Sequence, residues 1–137
     1  RKSLMGEETH IEDFLSFKNS SGSNFTLAIG NPPFNLAEQV IKHTLTMSNE
    51  VFMLLRLNFL GSLKRNTWLR ENTPNVYVLS PRPSFVNVTT DATEYAWMHW
   101  RRECRVGERS KVVVLPTRKE VEEYMVSRGV NVKEVAV

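Results

Sequence analysis

The run EVFMLLRLNFL, residues 50 to 60, constrains the fold of this chain more than any other segment. It is too continuously apolar for a strand with one wet face, and it suits a central strand of a parallel sheet with both faces covered. The segments around it keep the same grammar. FTLAIG (25–30) reads as a short buried strand, and NLAEQVIKHTLTM (35–47) carries Leu36, Val40, Ile41, Leu45 and Met47 at roughly helical spacing. SLKRNTWLREN (62–72) reads as a short helix with Ser62 at its cap and Pro74 beyond its end, and NVYVLS (75–80) as another strand. This β-α-β-α-β alternation predicts right-handed crossovers and a layered α/β sheet, with helices on both faces.

Further along, SPRPSFVNVTTD (80–91) is a loop with two prolines, and ATEYAWMHW (92–100) alternates imperfectly and reads as an antiparallel edge strand on a mostly parallel sheet. The region from 103 to 137 adds a β-α-β extension. In it, KVVVLP is a strand, and TRKEVEEYMVSRG a helix with Thr117 as cap, Glu120 completing a capping box and Gly129 as stop; VNVKEVAV is a further strand. At 137 residues and 41% hydrophobic the chain is expected to form one domain, 1–137.

The formal net charge of +3 comes from 18 Lys+Arg against 15 Asp+Glu, which permits a polyanionic partner without demanding one. The single cysteine, Cys104, cannot close an internal disulfide, so a reducing, cytoplasmic setting is expected. No apolar run approaches the roughly 18 residues of a membrane span, and no basic-then-apolar leader opens the chain, so no membrane partner is expected.

The link between FTLAIG and the following helix is Asn31-Pro32-Pro33-Phe34. In an open parallel sheet, ligands gather at the carboxyl ends of the strands, which is where Asn31 falls. Two consecutive prolines fix two φ angles, remove two backbone donors and bias Asn31 toward an extended conformation. An Asn side-chain oxygen and a neighbouring proline carbonyl can together accept both hydrogens of an amino group. Held so, the nitrogen lone pair is drawn out of conjugation and a poor nucleophile becomes able to attack an electrophilic methyl, with Phe34 as a flat surface for the ring that carries the amine. This chemistry requires neither an acid nor a metal. A plain surface turn is the alternative, since Asn-Pro commonly opens turns. The position between a buried strand and a helix with Asn35 as N-cap and Glu38 three residues on favours the chemical reading.

With these residues in view, the sequence resembles the amino-methyltransferases that use S-adenosylmethionine, whose hallmark is (Asn/Asp/Ser)-Pro-Pro-(Tyr/Phe) after the fourth strand. Within them it looks most like phage-type DNA adenine-N6 methyltransferases. NPPFNLAEQVIKH, LLRLNFLGSLKRNTWLRE, VYVLSPRPSF and TDATEYAWMHW carry the resemblance, in that order, within residues 25 to 100. It implies a partial Rossmann-like methyltransferase sheet, S-adenosylmethionine as cofactor and DNA as partner. Asn31 and Pro32 would hold the target amine, with Pro33 in the same catalytic motif, and Phe34 would stack on the base. Asp13 and Phe14, with Asn31, would contact the cofactor; an ordinary cap and core aromatic is the alternative for that pair. Adenine in duplex DNA hides its amine, so the implied mechanism flips the base out of the stack.

The family's glycine-containing turn after the first strand and acidic residue after the second do not occur in the sequence, and no G-x-G lies upstream of Asp13. The expectation is a chain that begins near the third strand, without its N-terminal cofactor half. With Arg at residue 1, the native start is expected upstream or at Met5.

Arg56 interrupts the apolar run and would be costly there unless paired or facing the site; an ion pair is the first reading and a substrate or phosphate contact the second, with Asn58 sharing that uncertainty. In the proline loop, Arg82, Ser84 and Phe85 are candidate DNA contacts, whereas Lys64 and Arg70 read as solvated helix cations and Arg65 as a further cation within reach of phosphate. Asp91 and Glu94 read as caps or ion-pair partners. His10, His43 and His99 show no metal or catalytic spacing, and Trp68, Trp97 and Trp100 read as packing. Two rival functions stay open. One keeps the chemistry but moves it to a guanine amine in RNA or a glutamine in protein. The other is a non-catalytic nucleic-acid-binding or assembly module whose self-association covers an exposed sheet edge.

Overall fold

The computed structural model of the chain describes residues 13–80, 93–103 and 110–130. It is an α/β structure around one five-stranded mixed sheet. The elements, in order, are β1 (Phe25–Gly30), α1 (Ala37–Met47), β2 (Ser48–Arg56), α2 (Asn66–Glu71), β3 (Asn75–Val78), β4 (Tyr95–Arg101), β5 (Val112–Val114) and α3 (Arg118–Ser127). Short 3-10 turns at Leu57–Phe59 and Leu63–Arg65 link β2 to α2. None of the described helices is long and apolar enough to cross a membrane.

The strands lie in the order β1-β2-β4-β3-β5. β1 pairs parallel with β2, Phe25 opposite Ser48 and Gly30 opposite Met53. β4 pairs antiparallel with β2, Glu50 opposite Arg101 and Arg56 opposite Tyr95, and antiparallel with β3 on its other side; β3 and β5 are parallel. Four strands therefore share one direction and β4 opposes them. Its antiparallel sense agrees with the sequence reading, but its place does not: β4 is interior, and the described edges are β1 and β5. The imperfect alternation of YAWMHW has a physical cause in this position. Tyr95, Ala96, Met98, His99 and Trp100 are all buried, so both faces of the strand call for bulk.

β2 is an interior strand, as its composition predicts, but only β1 beside it is parallel and β4 on its other side is antiparallel. Val51, Met53 and Leu55 point to one face, where Ala37 and Ile41 of α1, Phe59, Leu69 of α2, and Met98 and Trp100 of β4 close over them. Each fully buried aliphatic chain in such a cluster stabilises the fold by about 1.5–3 kcal/mol. Along α1 the buried residues are Ala37, Ile41, Thr44 and Met47, a stripe at helical spacing whose one polar member, Thr44, returns its hydroxyl to the Val40 carbonyl at 2.7 Å. Trp100 satisfies its indole N–H on the Asn72 carbonyl at 2.8 Å, in keeping with a packing role.

The opposite face is different. Phe52 lies flat on His99, ring centroids 4.0 Å apart, and stacks on Tyr77 at 6.4 Å. The two helices that bury side chains, α1 and α2, both serve the first face, and α3 buries none. Helices covering both faces are thus not found among the described residues. β1 also departs from its reading as a buried strand. Phe25, Leu27 and Ile29 are exposed, Ile29 by 66%, because they face away from α1 on a strand with only one described neighbour.

In the C-terminal region, α3 starts as its sequence predicts. The Thr117 hydroxyl accepts the Glu120 N–H while the Glu120 carboxylate accepts the Thr117 N–H, and Gly129, at φ +76°, turns the chain out of the helix. The strand expected from VNVKEVAV lies, apart from Val130, outside the described residues.

Candidate functional site

β1 delivers Gly30 beside β2 so closely that a Cβ there would meet Met53 Sδ at 3.3 Å. The next residue, Asn31, is exposed, Pro32 is buried, and Pro33 is exposed again. One proline thus pins the junction to the body while the residues on either side face outward. The Pro33 carbonyl accepts the Leu36 N–H at 2.9 Å, closing a turn that runs into α1. Leu36 occupies the N-cap position without a side-chain cap, so Asn35 does not cap this helix. The proline-led turn already engages the Leu36 N–H, and packing of the α1 stripe holds the helix instead.

Among the described residues, neither the Asn31 side-chain amide nor the Pro32 carbonyl has a hydrogen-bond partner. Two acceptors one residue apart therefore stand unengaged at the carboxyl end of a strand. Beside them, Phe34 is 40% exposed. The Arg56 guanidinium lies over its ring, with Cζ 4.2 Å from the centroid, and Tyr95 approaches the same ring at 6.3 Å. Arg56 Nε donates to the Tyr95 hydroxyl at 3.3 Å. The ion pair first expected for Arg56 is not formed: no carboxylate reaches it among the described residues. Its cost at the end of β2 is offset by two aromatic rings and a partly open position.

Across the cleft, Arg65 is held more firmly. Its guanidinium lies over Phe59 at 4.5 Å, donates from a terminal nitrogen to the Phe59 carbonyl at 3.4 Å, and brings Nε to 3.5 Å from Glu38, close enough for charge attraction but not aligned as a hydrogen bond. Phe34, Arg56, Asn58, Phe59 and Arg65 together line a cavity of about 220 Å³. Asn58 enters this wall from the 3-10 turn after β2 and is exposed. The cavity's charge is positive, tempered by Glu38 at one side.

Asp13 and Phe14 are not brought to this place. Asp13 holds its own turn, accepting the Leu15 N–H on its carboxylate at 3.1 Å, and Phe14 meets His43 edge-on at 5.4 Å. His43 also contacts the Phe17 carbonyl at 2.9 Å, and Phe17 stacks near Phe25 at the start of β1. His43 stands six residues into α1, about 9 Å along its axis from Ala37. No hydrogen bond or ring contact links Asp13 or Phe14 to residues 31–34 among the described residues. Arg82, Ser84 and Phe85 lie outside the described residues.

The sequence reading missed Tyr95, and the importance of Phe59. Tyr95 reaches Phe34 only because β4 is interior and antiparallel, which sets it opposite Arg56. No local pattern carries that information.

Two larger cavities, 330 and 570 Å³, hold none of the expected site residues. The first lies between Phe17–Asn24 and the end of α1, and the second is bordered by Asn75, His99, Arg101, Arg102 and Lys111. His99 is 7% exposed and meets Glu50 Oε2 through Nε2 at 3.1 Å. Burial depresses its pKa despite the nearby carboxylate, which favours the neutral ring with Nε2 donating, and among the described residues Nδ1 has no partner.

The comparisons with known proteins give no family: no family model matches the chain, and no curated protein matches it.

Proposed function

We propose that the Asn31–Phe34 junction binds an exocyclic amine, and that the chain carries the acceptor site of an S-adenosylmethionine-dependent amino-methyltransferase acting on adenine N6 in DNA. One observation carries this reading: Asn31 and Pro32 present acceptors without partners, beside a half-exposed phenyl ring, at the carboxyl end of a strand. The Asn31 oxygen takes one N–H of the amine and the Pro32 carbonyl the other, which draws the nitrogen toward a tetrahedral, nucleophilic shape. Phe34 takes the face of the base. Arg56 and Arg65 favour an acceptor that carries phosphate, which supports nucleic acid over a protein glutamine. In this reading, the co-directional strands belong to a Rossmann-like methyltransferase sheet, with the site at its carboxyl edge.

S-adenosylmethionine is the methyl donor that the resemblance implies. The described residues do not form its cradle, because Asp13 and Phe14 stand against their own turn and His43. The reading therefore rests on the acceptor site alone.

The test follows a labelled methyl from S-adenosylmethionine into DNA, RNA and protein, alongside an NMR titration with adenosine. Label in DNA that Asn31→Ala removes, and adenosine binding that the same change weakens, are the expected results. Label found only in RNA or protein, label indifferent to Asn31, or neither label nor adenosine binding would end the reading.

The open edge of β1, with Phe25, Leu27 and Ile29 exposed, supports a second reading: a non-catalytic module whose edge strand pairs with another chain. DNA binding that is indifferent to Asn31→Ala and accompanied by self-association would favour it.

A further inference from the structure

We infer that Arg56 is a placeholder for the substrate base. Its guanidinium lies on Phe34 where the base is to stack, and on base entry it leaves the ring for a backbone phosphate of the bound strand. This rests on the reading of the Asn31–Phe34 junction as the amine site.

The contrast between the two arginines of the cavity supports the inference. Arg65 is tied by a carboxylate, a backbone carbonyl and a ring, whereas Arg56 has one 3.3 Å hydrogen bond to the Tyr95 hydroxyl and lies over the Phe34 and Tyr95 rings at 4.2 and 5.9 Å, with no carboxylate among the described residues. A guanidinium stacked on an aromatic face at a partly open site is a weak tie, and the hydrogen bond is at the long end of the useful range. Of the two arginines of this wall, Arg56 is therefore the freer to move. A guanidinium and a purine are both flat and polar-edged, and both seek the same face of Phe34, so they compete for it.

Where the cation goes follows from its having no counter-charge among the described residues. A nucleotide brings a phosphate, and Arg binds phosphate through charge-assisted, forked hydrogen bonds stronger than its contact with Tyr95. The exchange also discriminates. A base on a phosphate backbone repays the lost stack with an ion pair, but a free nucleoside displaces Arg56 with nothing in return.

The experiment compares wild type, Arg56→Ala and Arg56→Lys in binding to two probes: free adenosine, and a short single-stranded DNA containing adenine, each measured over a range of salt. Both variants should bind adenosine roughly two- to fivefold tighter, since no guanidinium has to be displaced. Arg56→Ala should bind the oligonucleotide more weakly, with a log K against log salt slope shallower by about 0.7, while Arg56→Lys keeps the wild-type slope. Arg56→Lys retains the charge and most of the aliphatic stem, so a folding defect in the alanine variant does not decide the matter. If both variants bind adenosine more weakly, Arg56 is a platform for the base and the inference falls. It also falls if Arg56→Ala leaves the salt slope unchanged. Asn31→Ala separates this failure from that of the underlying reading. If it weakens adenosine binding while the Arg56 variants do not tighten it, only the placeholder role is lost. If it changes nothing while they do tighten it, the amine site is lost and the displacement stands.

Discussion

Helices α1 and α3 begin in opposite ways. The entry to α3 is closed on itself: Thr117 and Glu120 satisfy one another, and the helix buries no residue. The entry to α1 has no side-chain cap, four residues of the helix are buried, and Asn31 and Pro32 upstream keep their acceptors unengaged. A helix held by its own cap can stand apart from the body. A helix held by packing leaves the polar groups of its entry loop available, and there a ligand can be gripped.

The largest expected effect tests the packing side of this contrast. Ile41→Ala removes a fully buried side chain beneath the sheet and should cost about 2–5 kcal/mol of global stability in a denaturant titration. A loss below 1 kcal/mol would mean that α1 is not held as described. Thr117→Ala should remove about 1 kcal/mol from α3 alone, seen as faster amide exchange from Arg118 to Val121, with the unfolding midpoint of the sheet unmoved. A fall in that midpoint would show α3 to be coupled to the core.

The same cap should respond to acid. Hydrogen bonds from the Thr117 hydroxyl and then its N–H hold the Glu120 carboxyl below its ordinary value, so its contribution is complete above the unfolded pKa of about 4.3 and fades as pH drops through the lower, folded value. Amide protection in the first turn of α3, measured relative to the intrinsic exchange rate at each pH, should fall over that window, and that of α1 should be indifferent to it. Smallest of all is the stability effect of Asn31→Ala, expected within about 0.5 kcal/mol because its side chain has no partner to lose among the described residues. A larger destabilisation would make Asn31 a structural residue and erase the contrast.

Element type was legible in the sequence, and lateral order was not. The apolar run of β2, the strand–turn–helix at Asn31 and the Thr117–Glu120 cap followed from local patterns, although the end of that run turns into a 3-10 helix and α1 begins without the Asn35 cap. The position of β4 did not follow, because YAWMHW buries side chains on both of its faces, Tyr95 and His99 on one and Ala96, Met98 and Trp100 on the other, and an edge reading mistakes double burial for weak patterning. FTLAIG misled in the reverse sense, being apolar yet exposed on one face of an edge strand. For the candidate site, Asn31 to Phe34 and Arg56 were legible because they are close to strand ends. Tyr95 was not, since it depends on a pairing 39 residues away in sequence. Asp13 and Phe14 were placed by resemblance, and the contacts they make are to their own turn and His43.

The interior place of β4 also bears on how the chain assembles. Among the described residues, β3 and β5 join the rest of the sheet through β4, and the ladder that admits them closes contacts such as His99 to Glu50, 49 residues apart. β1, α1 and β2 can collapse early as a local unit, whereas the other half must wait for residues 95 to 101 to arrive. Loop closure over that distance is the slow step expected of this topology. During synthesis, the Asn31–Phe34 junction would thus take shape well before Tyr95 comes to stand behind Phe34.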